Sequence, residues 1–305
     1  MSKEYEVIII GGGPAGLSAG IYAARARLNA LLIEKGVAGG QILNTELVEN
    51  YPGFPEGISG YDLTQLMYQQ ATKFGLEILT AEVTGVELKG GQKVIKTSEG
   101  DFVTKTLIIA SGSEWAKLGV SGEKEFTGKG VSYCAICDAA FFTDQTVALV
   151  GGGNAAIAEA LQLTKFASKV IVIHRRDQLR ATRIVQEKAF AEPKIEFLWN
   201  TVVVGIEGKD VVERLRLRNV SSGEESTLQI AGIFIAVGLR PNTEYLNSAL
   251  PLDANGHVIT NEKMETEVPG IFAAGDVRSN SIRQVIAAVG DGATAAIYAE
   301  RFISE

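Results

Sequence analysis

One pattern occurs twice in this chain and restricts its fold more than any other feature. Val7-Ile8-Ile9-Ile10 is a β-branched run that leads into Gly11-Gly12-Gly13-Pro14-Ala15-Gly16. A helical stretch through Ala19, Ala23 and Ala26 follows, then a second apolar run, Ala30-Leu31-Leu32-Ile33, ending at Glu34-Lys35. The second copy starts with Val147-Ala148-Leu149-Val150 and Gly151-Gly152-Gly153-Asn154-Ala155-Ala156. Its helical stretch passes through Ala158, Ala160 and Leu163, and its closing run is Val170-Ile171-Val172-Ile173, ending at His174-Arg175-Arg176. Each copy reads as a βαβ unit of roughly 30 residues.

Glycine clusters also occur in ordinary turns. Here a strand precedes and a helix follows each cluster, which is the context of a dinucleotide-binding turn. The first glycine permits the tight turn, the second lets a pyrophosphate approach the backbone, and the third lets helix and strand pack closely. Gly11, Gly13 and Gly16 take these places in the first copy, and Gly151, Gly153 and Ala156 in the second. The helix that follows offers unpaired N–H groups and a positive dipole end to phosphate.

The strand tips differ. Glu34 lies 23 residues after Gly11, and His174 lies 23 residues after Gly151. A carboxylate at this place accepts hydrogen bonds from a free ribose and repels a 2′-phosphate, and basic residues do the reverse. The first site is therefore expected to take FAD or NAD. The second, with His174, Arg175, Arg176 and Arg180, is expected to take NADP(H). Near the C-terminal end, Gly270-Ile271-Phe272-Ala273-Ala274 reads as a strand running into Gly275-Asp276-Val277, and Ser281 to Ile303 as a helix. Asp276 reads either as an acceptor for a sugar or ribitol hydroxyl or as a helix N-cap or turn residue.

The 305-residue chain has a net charge of -7, which argues against nucleic-acid or anionic-membrane partners. Val7 to Ala24 is uncharged, but five glycines and Pro14 break it, so it is not expected to span a membrane. Met1-Ser2-Lys3-Glu4-Tyr5-Glu6 does not read as a signal peptide, and the expected location is cytosolic. The two cysteines, Cys134 and Cys137, form a C-x-x-C pair followed by Asp138. A zinc site normally needs four ligands, and the remaining candidates, His174 and His257, lie far apart, so no metal is expected. Buried structural thiols and a passive disulfide are the other readings. A redox pair explains the spacing best, with Asp138 placed to pass a proton to or from a thiolate.

The chain resembles the low-molecular-weight bacterial thioredoxin reductases over essentially its full length. The resemblance rests on Gly11 to Gly16, Gly39-Gly40-Gln41, Glu49-Asn50-Tyr51-Pro52-Gly53 and Cys134-Ala135-Ile136-Cys137-Asp138. It rests also on Gly151 to Asn154, His174-Arg175-Arg176-Asp177 with Arg180-Ala181, and Gly275-Asp276 followed by Arg283-Gln284-Val285. It implies an α/β fold of two Rossmann-like three-layer domains in a homodimeric flavoenzyme. Residues 1–115 and 244–305 would form the FAD domain, and residues 116–243 an inserted NADPH domain carrying the cysteines. Ala110-Ser111-Gly112 and Gly238-Leu239-Arg240-Pro241-Asn242 resemble the family's crossing points.

The resemblance further implies FAD contacts from Gly11, Gly13, Pro14, Ala15, Gly16, Glu34, Lys35, Gly40, Gln41, Asn50, Val83, Ala110 and Gly112. Gly275, Asp276, Arg283, Gln284 and Val285 would add to these. NADPH would be met by Gly151, Gly153, Asn154, Ala155, His174, Arg175, Arg176 and Arg180, with the arginines on its 2′-phosphate. Cys137 would contact the flavin, Cys134 would attack the disulfide of thioredoxin, and Asp138 would handle the proton. The inserted domain would swing about hinges near Leu118 and Asn242. After Asn154 the chain reads Ala155-Ala156-Ile157-Ala158-Glu159, where relatives often carry a small hydroxylated residue and paired glutamates. The nicotinamide end of the pocket is therefore expected to differ. A reductase fed by ferredoxin or NADH, one serving a peroxiredoxin, and a non-catalytic flavin redox sensor remain as alternatives.

Coenzyme choice gives a direct check. Arg175 and Arg180 each offer a charge-assisted hydrogen bond worth about 1.5–3 kcal/mol. Replacing both with Ala should raise the KM for NADPH far more than that for NADH, and equal rises would remove the assignment.

Overall fold

Uninterrupted apolar runs such as Val7–Ile10 and Val147–Val150 suit strands covered on both faces, and the computed structural model places both runs at the centres of sheets. It describes residues 3–45 and 47–305, so Met1, Ser2 and Glu46 lie outside the described residues. The chain divides into one unit of Met1–Glu114 with Arg240–Glu305 and another of Trp115–Leu239. The second crossing thus falls four residues before the expected 243/244 boundary. Asn242 is held in the first unit: its N–H donates to Gly112 O at 3.0 Å, and its carbonyl accepts from Ser111 Oγ at 2.7 Å.

In the first unit, β1 (Lys3–Ile10), α1 (Pro14–Arg25) and β2 (Ala30–Glu34) make the first βαβ element. Next come α2 (Gly60–Lys73), β3 (Glu77–Thr80) and a meander of β4 (Val83–Lys89), β5 (Gln92–Thr97) and β6 (Gly100–Ile109). The sheet order is β3-β2-β1-β6-β5-β4, parallel as far as β6 and antiparallel beyond it. The chain then leaves through β7 (Ser113–Trp115).

The second unit repeats the plan. It holds β8 (Val131–Ser132), α3 (Ala135–Asp138), β9 (Thr146–Val150), α4 (Asn154–Leu163), β10 (Lys169–Ile173), α5 (Arg183–Ala191) and β11 (Ile195–Leu198). These are followed by β12 (Thr201–Gly208), β13 (Val212–Asn219), β14 (Glu225–Gln229) and β15 (Gly232–Ile235). A parallel sheet, β11-β10-β9-β15-β8, is covered on one face by helices and on the other by the antiparallel sheet β12-β13-β14. The chain returns through β16 (Leu239–Pro241), which pairs with β7 as a ribbon. It ends with β17 (Ile271–Ala273) and α6 (Val285–Ser304) in the first unit. There β17 extends the sheet along Leu107–Ile109 of β6, whose Gly100–Thr104 stretch is taken by β5.

Strand periodicity sorts the cores. Val7 and Ile9 of β1 face the core under α1, α2 and α6, whereas Ile8 and Ile10 face the opposite one with Val86 and Ile95 of the meander. In the second unit Val147 and Leu149 face α4 while Ala148 faces β12 and β13. Among the described residues, no helix is long and apolar enough to cross a membrane.

Helix α6 begins at Val285, four residues later than its sequence suggests. Arg283 has φ +57°, a left-handed conformation that a helix cannot include, and its N–H is held by Ser281 Oγ at 3.1 Å. Along α1 and α6 the backbones nearly touch. Ser18 Oγ donates to Val289 O at 2.8 Å, and a Cβ on Gly292 would overlap the carbonyl oxygen of Ala15. A Gly292→Ala change should therefore destabilise the protein. The helix-propensity gain of about 1 kcal/mol is outweighed by overpacking of about 1–3 kcal/mol against rigid backbone. The unfolding midpoint should fall by about 2–4 °C per kcal/mol of net loss; a midpoint at or above the parent's would contradict the close contact.

Candidate functional site

Both glycine turns open onto a helix start left free of side chains. α1 is capped by Gly13 and α4 by Gly153, neither with a side-chain cap nor with an acid in its first turn. Gly11 has φ +106°, and a Cβ there would collide with Ala110. A Cβ on Gly16 would overlap Gly11 O, whereas one on Gly13 would make only ordinary contact with Gly40 Cα at 3.8 Å and one on Gly153 would meet nothing within 4 Å. Such free N–H groups with a positive dipole end favour a phosphate.

Around the first turn the structure gathers most of the expected residues. Glu34, at the tip of β2, accepts from Gly12 N at 2.7 Å and Gly36 N at 3.1 Å, leaving lone pairs on both oxygens. Val83 follows closely after Ala81, whose N–H donates to Glu34 O at 3.0 Å. Lys35 is exposed, 4.0 Å from Glu114. Gly40 lies beside Gly13 and Pro14. Gln41 Nε2 donates to Ser113 O, and Ser113 Oγ donates to Asp276 O at 2.5 Å. Asn50 Nδ2 donates to Gln284 Oε1 at 3.1 Å, and Gln284 Nε2 donates to Arg283 O. Ala110 is buried at the end of β6, and Gly112 has φ +66°.

The Gly275 turn is fixed from behind. Asp291 Oδ2 accepts from Gly275 N at 3.1 Å and from Arg278 Nε and Nη2 at 2.9 and 2.7 Å. Asp276, whose Oδ1 accepts from Ser281 Oγ at 3.0 Å, has its carboxyl pushed up by burial. The Nε of Arg283 is buried with no partner among the described residues, a donor aimed at an acceptor the chain does not supply.

At the second turn the arginine segment is tied to the glycines by backbone bonds. Gly152 O accepts from Arg180 N at 2.7 Å and Ala181 N at 3.1 Å, and Asn154 Oδ1 accepts from Thr182 N at 2.7 Å. Arg175, Arg176 and Arg180 are exposed, as is Ala155 in the first turn of α4. His174 stands apart from the three arginines. Its ring is buried against Gly152, where a Cβ would strike it, and edge-on to Trp199. Burial pushes its imidazole below the usual value, so the positive charge here comes from the arginines.

The cysteines form a disulfide with Cα atoms 5.3 Å apart. Cys134, the half-buried member, caps α3, and its Sγ accepts from the exposed Cys137's N–H at 3.2 Å. An amide hydrogen so placed favours the thiolate. Ile136, between the cysteines, is 64% exposed. Asp138 is largely enclosed, and burial pushes its carboxyl up while a hydrogen bond from Ser132 opposes the shift. Among the described residues no metal-binding group of three or more His, Cys, Asp or Glu is found.

Several supporting residues carried no signal in the sequence. Glu123, 3% exposed, accepts from Leu118 N, Gly119 N and Tyr133 Oη at 2.7–3.0 Å. It thereby joins the segment after the first crossing to the residue preceding Cys134, and Tyr133 also stacks on Trp115. Burial and Glu123 raise the Tyr133 phenol well above its ordinary range. Ser132, Ser281, Asp291 and Arg278 likewise act through contacts that spacing does not reveal.

Comparisons with known proteins match this geometry. The family model described as pyridine nucleotide-disulphide oxidoreductase matches residues 5–292. A thioredoxin reductase of Bacillus subtilis is 46% identical, covering 100% of this chain and 97% of that relative. The crystal structure of thioredoxin reductase from Streptococcus pyogenes is 44% identical with a TM-score of 0.95, covering 100% of this chain and 99% of that one. That of Lactococcus lactis thioredoxin reductase in its FR conformation is 46% identical with a TM-score of 0.67, covering 98% and 99%. With two free dinucleotide turns, a cysteine pair and a family match spanning nearly its whole length, this chain belongs to the pyridine nucleotide-disulphide oxidoreductase family.

Proposed function

We propose that this chain is an NADPH-dependent thioredoxin reductase. FAD is held by the unit of Met1–Glu114 and Arg240–Glu305, and NADPH by Trp115–Leu239, which also carries the redox cysteines. The observation that carries the reading is the Cys134–Cys137 disulfide followed at once by the half-buried Asp138, in a chain with two glycine turns whose helix starts are free. The curated relatives' name supports thioredoxin as the partner. A homodimer in the cytoplasm is part of the same reading and rests on the family resemblance.

The residues fit both cofactors. Glu34 keeps lone pairs for ribose hydroxyls, Arg283 Nε lacks an internal acceptor, and Asp276 has one oxygen without a protein donor among the bonds described. Gly13 leaves room for a pyrophosphate while Gly11 and Gly16 allow the tight turn and the close helix–strand approach, with Pro14, Ala15, Gly40, Gln41, Asn50, Val83, Ala110, Gly112, Gln284 and Val285 completing the FAD site. Gly151, Gly153, Asn154 and Ala155 take the NADPH pyrophosphate side, and Arg175, Arg176 and Arg180 its 2′-phosphate. Bound flavin and nicotinamide supply the electron pair that reduces the Cys134–Cys137 disulfide.

The chain's own residues then perform the exchange. Cys134 attacks the substrate disulfide as a thiolate favoured by the Cys137 N–H, and Cys137 closes on Cys134 to free the second substrate sulfur. One enzyme S–S bond forms as one substrate S–S bond breaks. Asp138 takes a thiol proton and passes it to a departing sulfur, ending as it began.

Turnover of oxidised thioredoxin with NADPH, coupled to a chromogenic disulfide, tests the reading. The parent should turn over, and Cys134→Ser and Cys137→Ser should each fall to background. Cys134 should stay open to alkylation in the Cys137→Ser enzyme. Absence of turnover in the parent, or turnover in either serine variant, would overturn it.

A further inference from the structure

The geometry points to Ser132 as the positioning residue that holds Asp138 ready for proton transfer at the cysteine pair. The proposal rests on the reading above, in which Asp138 exchanges protons with that pair.

Ser132 is well placed to fix another side chain. It ends β8, pairs with Phe234 of the fully buried strand β15, and is 5% exposed. Its Oγ lies 2.6 Å from Asp138 Oδ2 and 3.1 Å from Cys134 N. The amide of Cys134 can only donate, so Oγ accepts there. The single hydroxyl hydrogen is left for one acceptor. Cys134 O is 3.4 Å away, too far to compete with the carboxylate at 2.6 Å. That separation lies in the range of a hydroxyl donating to an ionised carboxylate.

Two consequences follow from this direction. Oδ2 is occupied by the Ser132 hydrogen, so the transferable proton is carried by Oδ1. The hydroxyl also bonds both ends of the redox turn, the amide of Cys134 and the carboxyl one residue beyond Cys137. The carboxyl therefore keeps its place relative to Cys134 Sγ as the disulfide opens and closes. Burial favours the protonated acid and the Ser132 bond favours the carboxylate, so the two oppose each other at the one group that must both give and take a proton. In the exchange, Asp138 Oδ1 accepts the thiol proton and releases it to the departing substrate sulfur, while the enzyme S–S bond forms and the substrate S–S bond breaks.

The test is a double-mutant cycle on the holoenzyme. The enzyme is reduced with a small dithiol, freed of reductant and mixed with oxidised thioredoxin, and substrate thiols are counted in a single turnover. Asp138→Asn should slow the exchange roughly a hundredfold and Ser132→Ala roughly tenfold. Ser132→Thr, which keeps a hydroxyl, should restore the parent rate to within about twofold. In the Asp138→Asn background, Ser132→Ala should add nothing. Bound-flavin absorbance reports folding, and Ser132→Gly, which also lacks the hydroxyl, replaces an Ala variant that does not fold. The proposal is overturned if removing the hydroxyl leaves the rate unchanged, if its effect is as large without Asp138, or if Thr is as slow as Ala. A parent rate in Asp138→Asn alone would overturn the role of Asp138 itself, and the proposal with it.

Discussion

There is no room for a methyl group between the start of α1 and the end of β1. A Cβ on Gly16 would overlap the carbonyl of Gly11, and one on Gly11 would collide with Ala110 at the end of the neighbouring strand β6. This backbone-on-backbone approach places the first turn of α1 directly beyond the strand ends, with its N–H groups uncovered. The second unit reaches the same arrangement with slightly different contacts, since a Cβ on Gly151 would meet Ala156 and the carbonyl of Ala236. The rest of each site is arranged around that approach: the strand tip of β2 or β10, the cation segment, and the loops that follow.

Two half-buried acids recur at the places where chemistry or sugar recognition is expected. Asp138 and Asp276 are both pushed up by burial, and each receives a hydrogen bond from one serine, Ser132 or Ser281, that opposes the shift. The surroundings differ in charge. Asp276 also feels Arg283 and Arg278, which favour its carboxylate, and Asp291, which opposes it, whereas at Asp138 burial is opposed only by the Ser132 hydrogen bond. A carboxyl without a cationic neighbour is the better suited of the two to hold a proton and give it up.

The repeated βαβ pattern was legible because its information is local: a β-branched run, glycines at fixed offsets and a helix with small residues lie within thirty or so residues of one another. The cysteine pair and its following acid were legible for the same reason. The late start of α6 was not, because no Gly or Pro marks a break between Ser281 and Val285, and only the left-handed backbone of Arg283 and the Ser281 bond show that the helix has not begun. Glu123 and Asp291 were invisible because their partners lie at separations with no repeating rule: a turn and Tyr133 for one, Gly275 and Arg278 for the other. His174 shows what spacing does not carry. Its spacing marks the strand tip correctly, but spacing cannot tell a ring turned inward against Gly152 from one turned outward beside Arg175.

The insertion of Trp115–Leu239 has a consequence for how the protein is made. Strand β6 leaves the ribosome early, but β17, which completes its edge, follows only after the whole inserted unit. At ordinary translation speeds the gap is on the order of ten seconds. Throughout that time the face of α1 that will meet α6 has no partner, and the edge of Leu107–Ile109 turned away from β1 stays unpaired. The inserted unit contains all its own strands and helices in one continuous stretch, so it can reach its native sheet during that wait. Synthesis thus favours an order in which the middle of the chain is finished first and the two ends are joined last, with a nascent apolar helix face that chaperones would have reason to shield.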